Sequence, residues 1–206
     1  MTLMLLQQLS GINVILFYAQ TIFTLSGIDL DPGLFFSFYT KWLFLNKFSI
    51  SALCSTFLAL TQLIGCVVVV FSVEAVGRKL TLILSELLSC LSLFGASLFF
   101  YLKTTNFDLS SFGWIPLSCL ILFIFSFSSG LGAIPWTLNA ELHPPESKAK
   151  ASCIAYSACW FFAFVITQIG PIVQQFIGIH GLFAIFASSG LMGSSNLTIS
   201  LCCACH

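Results

Sequence analysis

Residues 1–23 read MTLMLLQQLSGINVILFYAQTIF, and the chain carries no charged side chain as far as Ile28. Three primary amides, on Gln7, Gln8 and Asn13, interrupt this apolar run. The run is long enough for the hydrocarbon core of a bilayer, which about 20 apolar residues cross as a helix. A buried amide without a hydrogen-bond partner costs a few kcal/mol. The three amides therefore predict a segment that faces either a neighbouring helix or a water-filled cavity.

The whole chain has the composition of an integral membrane protein. Of its 206 residues, 58% are hydrophobic and 7% are charged, and the mean hydropathy is +1.05. Soluble domains carry roughly 25% charged residues, so this chain could not cover a water-exposed surface with polar groups. The formal net charge of zero points to no particular partner, and we expect no nucleic-acid partner.

Short clusters of charged residues divide the chain into apolar stretches that predict six transmembrane helices. These stretches lie near 4–26, 52–73, 80–102, 114–138, 151–174 and 181–203. They must be helical because lipid offers the backbone no hydrogen-bond partners. Arg78 and Lys79 lie in a loop two spans before the loop with Lys148 and Lys150. The positive-inside rule therefore places both loops on the cytoplasmic side.

Two interpretations of the amides stay open on physical grounds alone. Gln7 and Asn13 are roughly 9 Å apart along a helix axis and would not share one face of an ideal helix. Gly11 between them could permit a local break that turns both side chains toward one cavity. The alternative is that the amides hydrogen-bond neighbouring helices and bind no ligand.

Three motifs resemble the sugar porter family of the major facilitator superfamily. QQLSGINVILFYAQTIF at 7–23 is similar to the family's seventh helix. VEAVGRKLTLIL at 73–84 is similar to its loop between helices eight and nine, and GLGAIPWTLNAEL at 130–142 to its helix ten. The motifs occur in the family's order. Over 114–168 the chain looks most similar to insect facilitated trehalose transporters.

The resemblance implies a sugar site built from amides and tryptophans. The implied substrate-binding residues are Gln7, Gln8, Asn13, Gln62, Trp136 and Trp160. Amides offer donors and acceptors to sugar hydroxyls, and indole rings cover the apolar faces of a sugar ring. No proton or electron moves in such binding, so we expect neither a cofactor nor a metal. The ending CCACH at 202–206 lacks a second ligand pair at a zinc spacing.

The resemblance also implies residues that move or lock the transporter. The implied gating residues are Phe17, Tyr18, Gly130, Gly132 and Pro135, and the implied cytoplasmic charge network is Glu74, Arg78, Lys79 and Glu141. Helix discontinuities are where transporters place binding sites and gates. A static kink is the alternative for Pro135.

The implied fold is an all-α membrane protein, a six-transmembrane-helix bundle equivalent to the C-terminal half of a major facilitator transporter. In that scheme 1–33 is the segment like transmembrane helix 7, and 34–51 is an atypical insertion. Residues 52–203 are like transmembrane helices 8–12, and 204–206 form a short tail. The insertion is expected to be either an interfacial aromatic segment or translated intron.

The expected function is facilitated transport of trehalose or a hexose across the cell membrane by alternating access. The expected partners are the sugar, the lipid bilayer and an N-terminal transporter half. The alternative is a non-transporting half-transporter that acts as a binding or regulatory subunit. An enzyme is not expected, because His143 beside Glu141 has no second His or carboxylate pair to complete a site.

Two departures from the family pattern bear on these expectations. Cys159 stands before Trp160 where the family often has Asn, so one polar contact is expected to be lost or altered. Glu86 stands alone inside the ninth-helix region. It is expected to be a packed or snorkelling acid near the cytoplasmic end, with a role in coupling as the alternative.

Overall fold

The computed structural model describes residues 2–16, 50–105 and 114–203, with side chains at 3–16, 56, 58–105 and 115–193. Within these ranges all regular structure is helical. The helices are α1 Thr2–Leu9, α2 Ile50–Val76, α3 Arg78–Thr104, α4 Trp114–Ser128, α5 Ile134–Leu142 and α6 Lys148–Cys203. Residues 12–16 return to helix after a turn at 10–11. The predicted all-helical class is confirmed, whereas the proposed insertion lies outside the described residues except for its last two.

The helices differ in their capacity to cross a bilayer. Leu58–Val76, Arg78–Thr104 and Lys148–Gly193 are long and apolar enough, and Leu3–Leu16 and Ile115–Ser128 are shorter apolar segments. The predicted span 114–138 is not one helix, because turns at 129–133 separate α4 from α5. Pro135 lies in the first turn of α5, where its missing N–H costs no helical hydrogen bond. It therefore starts a helix and does not kink one.

Helix α6 contains two predicted spans, and its contacts show that the chain reverses between them. Gly178 has a non-helical backbone, with φ 81° and ψ 171°. Before Gly178, residues further along the first segment contact residues further along α6. Gln8 contacts Cys159, and Val14 lies against Gly170. After Gly178 the order is reversed: Leu9 contacts Ser189, and the earlier residue Leu6 lies against the later residue Gly193. The predicted spans 151–174 and 181–203 are therefore antiparallel and joined at Gly178.

The apolar core lies where α3, α4 and the second half of α6 meet. Phe123, Phe183 and Leu93 are almost fully buried there. The Phe100 and Phe183 ring centroids lie 5.8 Å apart, which joins α3 to α6. This core joins α3, α4 and the second half of α6. The cavities described below are lined in part by α1, α2 and α5.

Glu86 is packed inside the bundle and is 1% exposed. Its Oε1 lies against two glycines of α6: a Cβ on Gly190 or Gly193 would come within 3.3 or 3.2 Å of this atom. Small residues on the facing helix allow this close approach. Glu86 is therefore a packed acid that does not extend toward the membrane surface.

Candidate functional site

The first segment breaks at Gly11, as its sequence predicts. Gly11 has φ +77°, a left-handed conformation that costs a residue with a side chain roughly 1–2 kcal/mol. Its N–H donates to the Gln8 carbonyl at 3.1 Å. A Cβ at this position would also overlap the Phe186 ring. The break lets Gln7 before it and Asn13 after it line the same cavity.

This amide cavity has a volume of about 220 Å³. Four parts of the chain contribute to it: the first segment, α2, the stretch from the end of α4 through the break to α5, and α6. All six residues that the sequence predicts for substrate binding line it: Gln7, Gln8, Asn13, Gln62, Trp136 and Trp160. Their convergence is a finding, and their role in binding sugar stays a prediction.

Gln8 connects the first segment to α6. Asn13 Nδ2 donates to Gln8 Oε1, and Gln8 Nε2 donates to Cys159 Sγ at 2.9 Å. Cys159 is 1% exposed. The polar contact expected to be lost or altered at Cys159 is thus present as a hydrogen bond to a thiol. Sequence reasoning missed this role, since nothing in the pattern pairs position 159 with position 8.

Two buried polar atoms in the lining have no hydrogen-bond partner within the part of the chain that the structure describes. They are Gln7 Oε1 and Ser128 Oγ. Gln7 is 5% exposed, and its Nε2 donates to the Gly132 carbonyl at 3.4 Å. Buried polar groups are nearly always hydrogen-bonded. The cavity therefore offers acceptors to a ligand that carries hydroxyl groups.

The break between α4 and α5 is held against α3. A Cβ on Gly130 would lie 2.5 Å from Ser85 Cβ, and the Leu131 N–H donates to Ser85 Oγ at 2.9 Å. The Gly132 N–H donates to the Phe127 carbonyl at 2.7 Å. The predicted gating residues Gly130 and Gly132 thus lie in non-helical backbone, and their role as a gate stays a prediction.

Aromatic residues border the amide cavity on its α5 and α6 side. Trp136 packs against Tyr156 in a tilted arrangement, with ring centroids 5.1 Å apart and an interplanar angle of 40°. Trp160 lines the cavity but is 64% exposed. Tyr156 was not predicted, although it lies four residues before Trp160 and so on the same helix face. The predicted gating residues Phe17 and Tyr18 lie outside the described residues.

A second cavity of about 530 Å³ lies at the charged end of the bundle. Glu74, Arg78 and Glu141 line it, and Arg78 Nη1 forms an ion pair with Glu141 Oε2. The hydrogen bond from Arg78 lowers the pKa of Glu141, and the charge of Lys148 acts in the same direction. This pair joins the start of α3 to the end of α5, so both lie at one end of the bundle. Lys79 does not line this cavity.

Residues 1–203 match the family described as "Sugar (and other) transporter". The chain belongs to this sugar transporter family. The match covers every residue of the amide cavity, and it confirms the resemblance carried by the three motifs. Members of the family named below are integral membrane transporters.

Curated relatives cover nearly all of this chain. The facilitated trehalose transporter Tret1 of Bombyx mori is 31% identical over 193 residues, which is 92% of this chain and 34% of the relative. Trehalose transporter 1 of Drosophila melanogaster is 31% identical over 191 residues, which is 93% of this chain and 20% of the relative. The chain therefore spans between a fifth and about a third of the length of these relatives.

Solved structures share the fold of the chain. The major facilitator superfamily proton:xylose symporter XylE, bound to 6-bromo-6-deoxy-D-glucose, has a TM-score of 0.71 at 22% identity, covering 94% of this chain and 37% of that protein. A D-xylose–proton symporter has a TM-score of 0.73 at 22% identity, covering 95% and 40%. The chain therefore has the fold of the part of these transporters that it covers.

Proposed function

We propose that this chain supplies one wall of the sugar site in a membrane transporter that moves trehalose or a hexose by alternating access. The observation that carries the proposal is the amide cavity, where six predicted side chains from distant parts of the sequence converge. A protein that only packed its amides between helices would leave no cavity lined by unpartnered acceptors.

The chemistry of the cavity suits a sugar. Gln7 Oε1 and Ser128 Oγ have no partner among the described residues, so each can accept a hydrogen bond from a hydroxyl. The partly exposed Trp136 offers an indole face to the apolar side of a pyranose ring. The named relatives are trehalose transporters, which supports trehalose as the first sugar to test.

Alternating access requires elements that have two arrangements. The break at Gly11 and the break at 129–133 meet at the amide cavity, where Gln7 donates to the Gly132 carbonyl. Discontinuous helices of this kind are where transporters place both their sites and their moving parts. The Arg78–Glu141 ion pair would hold the charged end in one of the two arrangements.

The second wall of the site is proposed to come from an N-terminal transporter half. The relatives are roughly three to five times longer than the stretch they share with this chain. We place the assembled transporter in the plasma membrane. The functional experiments therefore use this chain together with the N-terminal six-helix half of the Bombyx mori relative.

The test replaces two amides that line the cavity from different helices. Gln7→Ala and Gln62→Ala should each weaken sugar uptake more than tenfold, which is about 1.4 kcal/mol of lost recognition. Initial uptake rates of labelled trehalose and glucose in proteoliposomes provide the measurement. Gln168→Ala is the matched control, since Gln168 is exposed on α6 and lines neither cavity.

Three outcomes separate the alternatives. A loss of uptake in both cavity variants at unchanged protein abundance, with Gln168→Ala at the unsubstituted rate, supports the proposal. Unchanged uptake kinetics in Gln7→Ala and Gln62→Ala would show that these amides serve only to join helices. Saturable sugar binding with no uptake by the unsubstituted chain would instead indicate a non-transporting binding subunit.

A further inference from the structure

One face of α2 runs from the amide cavity to the charged cavity. Gln62 lines the first, Glu74 lines the second, and Cys66 lines both. Cys66 lies one helical turn after Gln62 and two turns before Glu74, about 6 Å and 12 Å along the axis. Across from α2, Ala133 also lines both cavities. Cys66 and Ala133 therefore border the neck where the two cavities meet.

The neck is fixed on the α2 side by close packing. A Cβ on Gly65, the residue before Cys66, would lie 2.6 Å from Ser128 Cβ and 3.1 Å from the Phe125 carbonyl oxygen. The backbones of α2 and α4 are thus as close as glycine permits at this level. Cys66 cannot withdraw from the neck unless α2 leaves α4. The opposite border, Ala133, belongs to the break between α4 and α5.

Polar groups line the cavities on both sides of the Cys66 thiol. On one side the unpartnered Gln7 Oε1, on a side chain that is 95% buried, lines the amide cavity. On the other side Arg78 and Glu141 line the charged cavity. Among the described residues Cys66 and Cys153 are free, exposed cysteines, whereas Cys90 and Cys159 are buried. Of the two exposed cysteines, Cys66 lines the two cavities and Cys153 lines neither.

We propose that Cys66 is a thiol-modification site at this neck, and that an adduct on its sulfur closes the passage between the sugar site and the charged end. The class of ligand is a small electrophile such as a maleimide. The sulfur adds to one alkene carbon, the carbon–carbon π bond breaks, and the thiol proton ends on the other alkene carbon. No oxidant or reductant is needed. The blockage of transport rests on the proposed function, whereas the formation of the adduct does not.

The experiment treats the chain, assembled with the N-terminal half in proteoliposomes, with N-ethylmaleimide. Peptide mass spectrometry gives the adduct yield at each cysteine, and labelled sugar uptake is measured on the same samples. The adduct at Cys66 should form at least tenfold faster than at Cys90 or Cys159, and uptake should fall in step with its yield. N-ethylmaleimide should lower sugar uptake by the Cys66→Ser variant less than twofold relative to the same variant without treatment.

Protection by sugar locates the thiol relative to the site. Saturating trehalose or glucose should slow the Cys66 adduct severalfold. Thr137 lines only the charged cavity, so Thr137→Cys in the Cys66→Ser background is the control, and its adduct should be slowed less. Equal protection at both positions would overturn the assignment of Cys66 to the neck.

The remaining outcomes separate the inference from the proposed function. No adduct at Cys66, or a full adduct with unchanged uptake, overturns the inference while transport itself stands. If the untreated protein takes up no sugar, the proposed function fails. Two measurements then still test the position of the Cys66 thiol. They are its adduct yield relative to that of Cys90 and the decrease of this yield when sugar is added.

Discussion

At the scale of single residues, the amide of Gln8 is oriented by its two partners. Its Oε1 accepts from Asn13 and its Nε2 donates to the Cys159 thiol. A primary amide carries two N–H donors and two acceptor lone pairs. Gln8 therefore keeps one donor and one acceptor for a ligand, in an orientation fixed by residues on either side. In the proposed function Cys159 is therefore a positioning residue that acts through Gln8.

We expect Cys159→Ala to raise the KM for sugar roughly fivefold, about 1 kcal/mol, because Gln8 Nε2 loses its acceptor and the amide can rotate. The kcat should stay within twofold, since the thiol lies behind Gln8. Cys159→Ser keeps an acceptor and is the matched variant, with KM expected within twofold of the unsubstituted protein. Uptake rates over a range of sugar concentrations give both constants. Equal KM values for the Ala and Ser variants would contradict this role.

At the scale of elements, two breaks in otherwise helical segments meet at one point. The turn at Gly11 and the turns at 129–133 are joined by the hydrogen bond from Gln7 to the Gly132 carbonyl. Each break exposes backbone groups that a continuous helix would use internally. The cavity exists because these two segments stop being helical at the same level of the bundle.

Two glycines with positive φ angles allow the packing at the first break to be measured. Gly11 has φ +77° and faces the Phe186 ring, whereas Gly77 has φ +87° and has no atom within 4 Å of an added Cβ. With ψ 155°, Gly77 lies in a backbone region that is essentially restricted to glycine, so Gly77→Ala should cost this backbone strain alone, roughly 1–3 kcal/mol. Gly11→Ala adds the overlap with Phe186 and should lower the melting temperature and membrane abundance further.

Thermal unfolding of the detergent-solubilised protein and quantitative immunoblotting of membranes provide the measurements. Gly11→Ala combined with Phe186→Ala should recover part of the difference, since the smaller side chain makes room for the methyl group. Equal loss in Gly11→Ala and Gly77→Ala would show that the ring does not press on the break.

The sequence predicts where the helices begin and end better than it predicts which side of each helix is turned toward a cavity. The break at Gly11 and the reversal between 174 and 181 are visible as a glycine among amides and as a gap between apolar runs. The break at 129–133 is harder to place, because Pro135 marks the start of α5 and not the interruption itself. Cys66 could not be assigned to the cavity, since α2 is apolar on nearly every face and hydropathy does not show which face is turned inward.

At the scale of the whole molecule, the Arg78–Glu141 pair ties the turn between α2 and α3 to the end of α5. These residues are 63 positions apart in the sequence, and both side chains are about half exposed. Exposed ion pairs contribute little to overall stability. The pair is better suited to bias the opening of the charged cavity, which needs only a small free-energy difference.

We expect Arg78→Glu to slow sugar uptake severalfold, and Arg78→Glu combined with Glu141→Arg to restore part of it, because the exchange rebuilds an ion pair. Since the pair lowers the pKa of Glu141, its contribution is present above the ordinary glutamate pKa and is lost as pH falls through the lowered value. The uptake rate of each variant relative to the unsubstituted protein should therefore be the same at neutral and at mildly acidic pH. No recovery in the double variant would contradict the pairing.

The hydrogen bond between Gln8 and Cys159 spans 151 residues, and this separation sets an order of events during synthesis. At about 5–20 residues per second, the ribosome adds the second partner roughly 8–30 s after the first. Through that interval the amides at the start of the chain are made but their thiol acceptor is not. The first segment is therefore made before its partner in α6, and over that interval the Gln8 N–H groups need other hydrogen-bond partners.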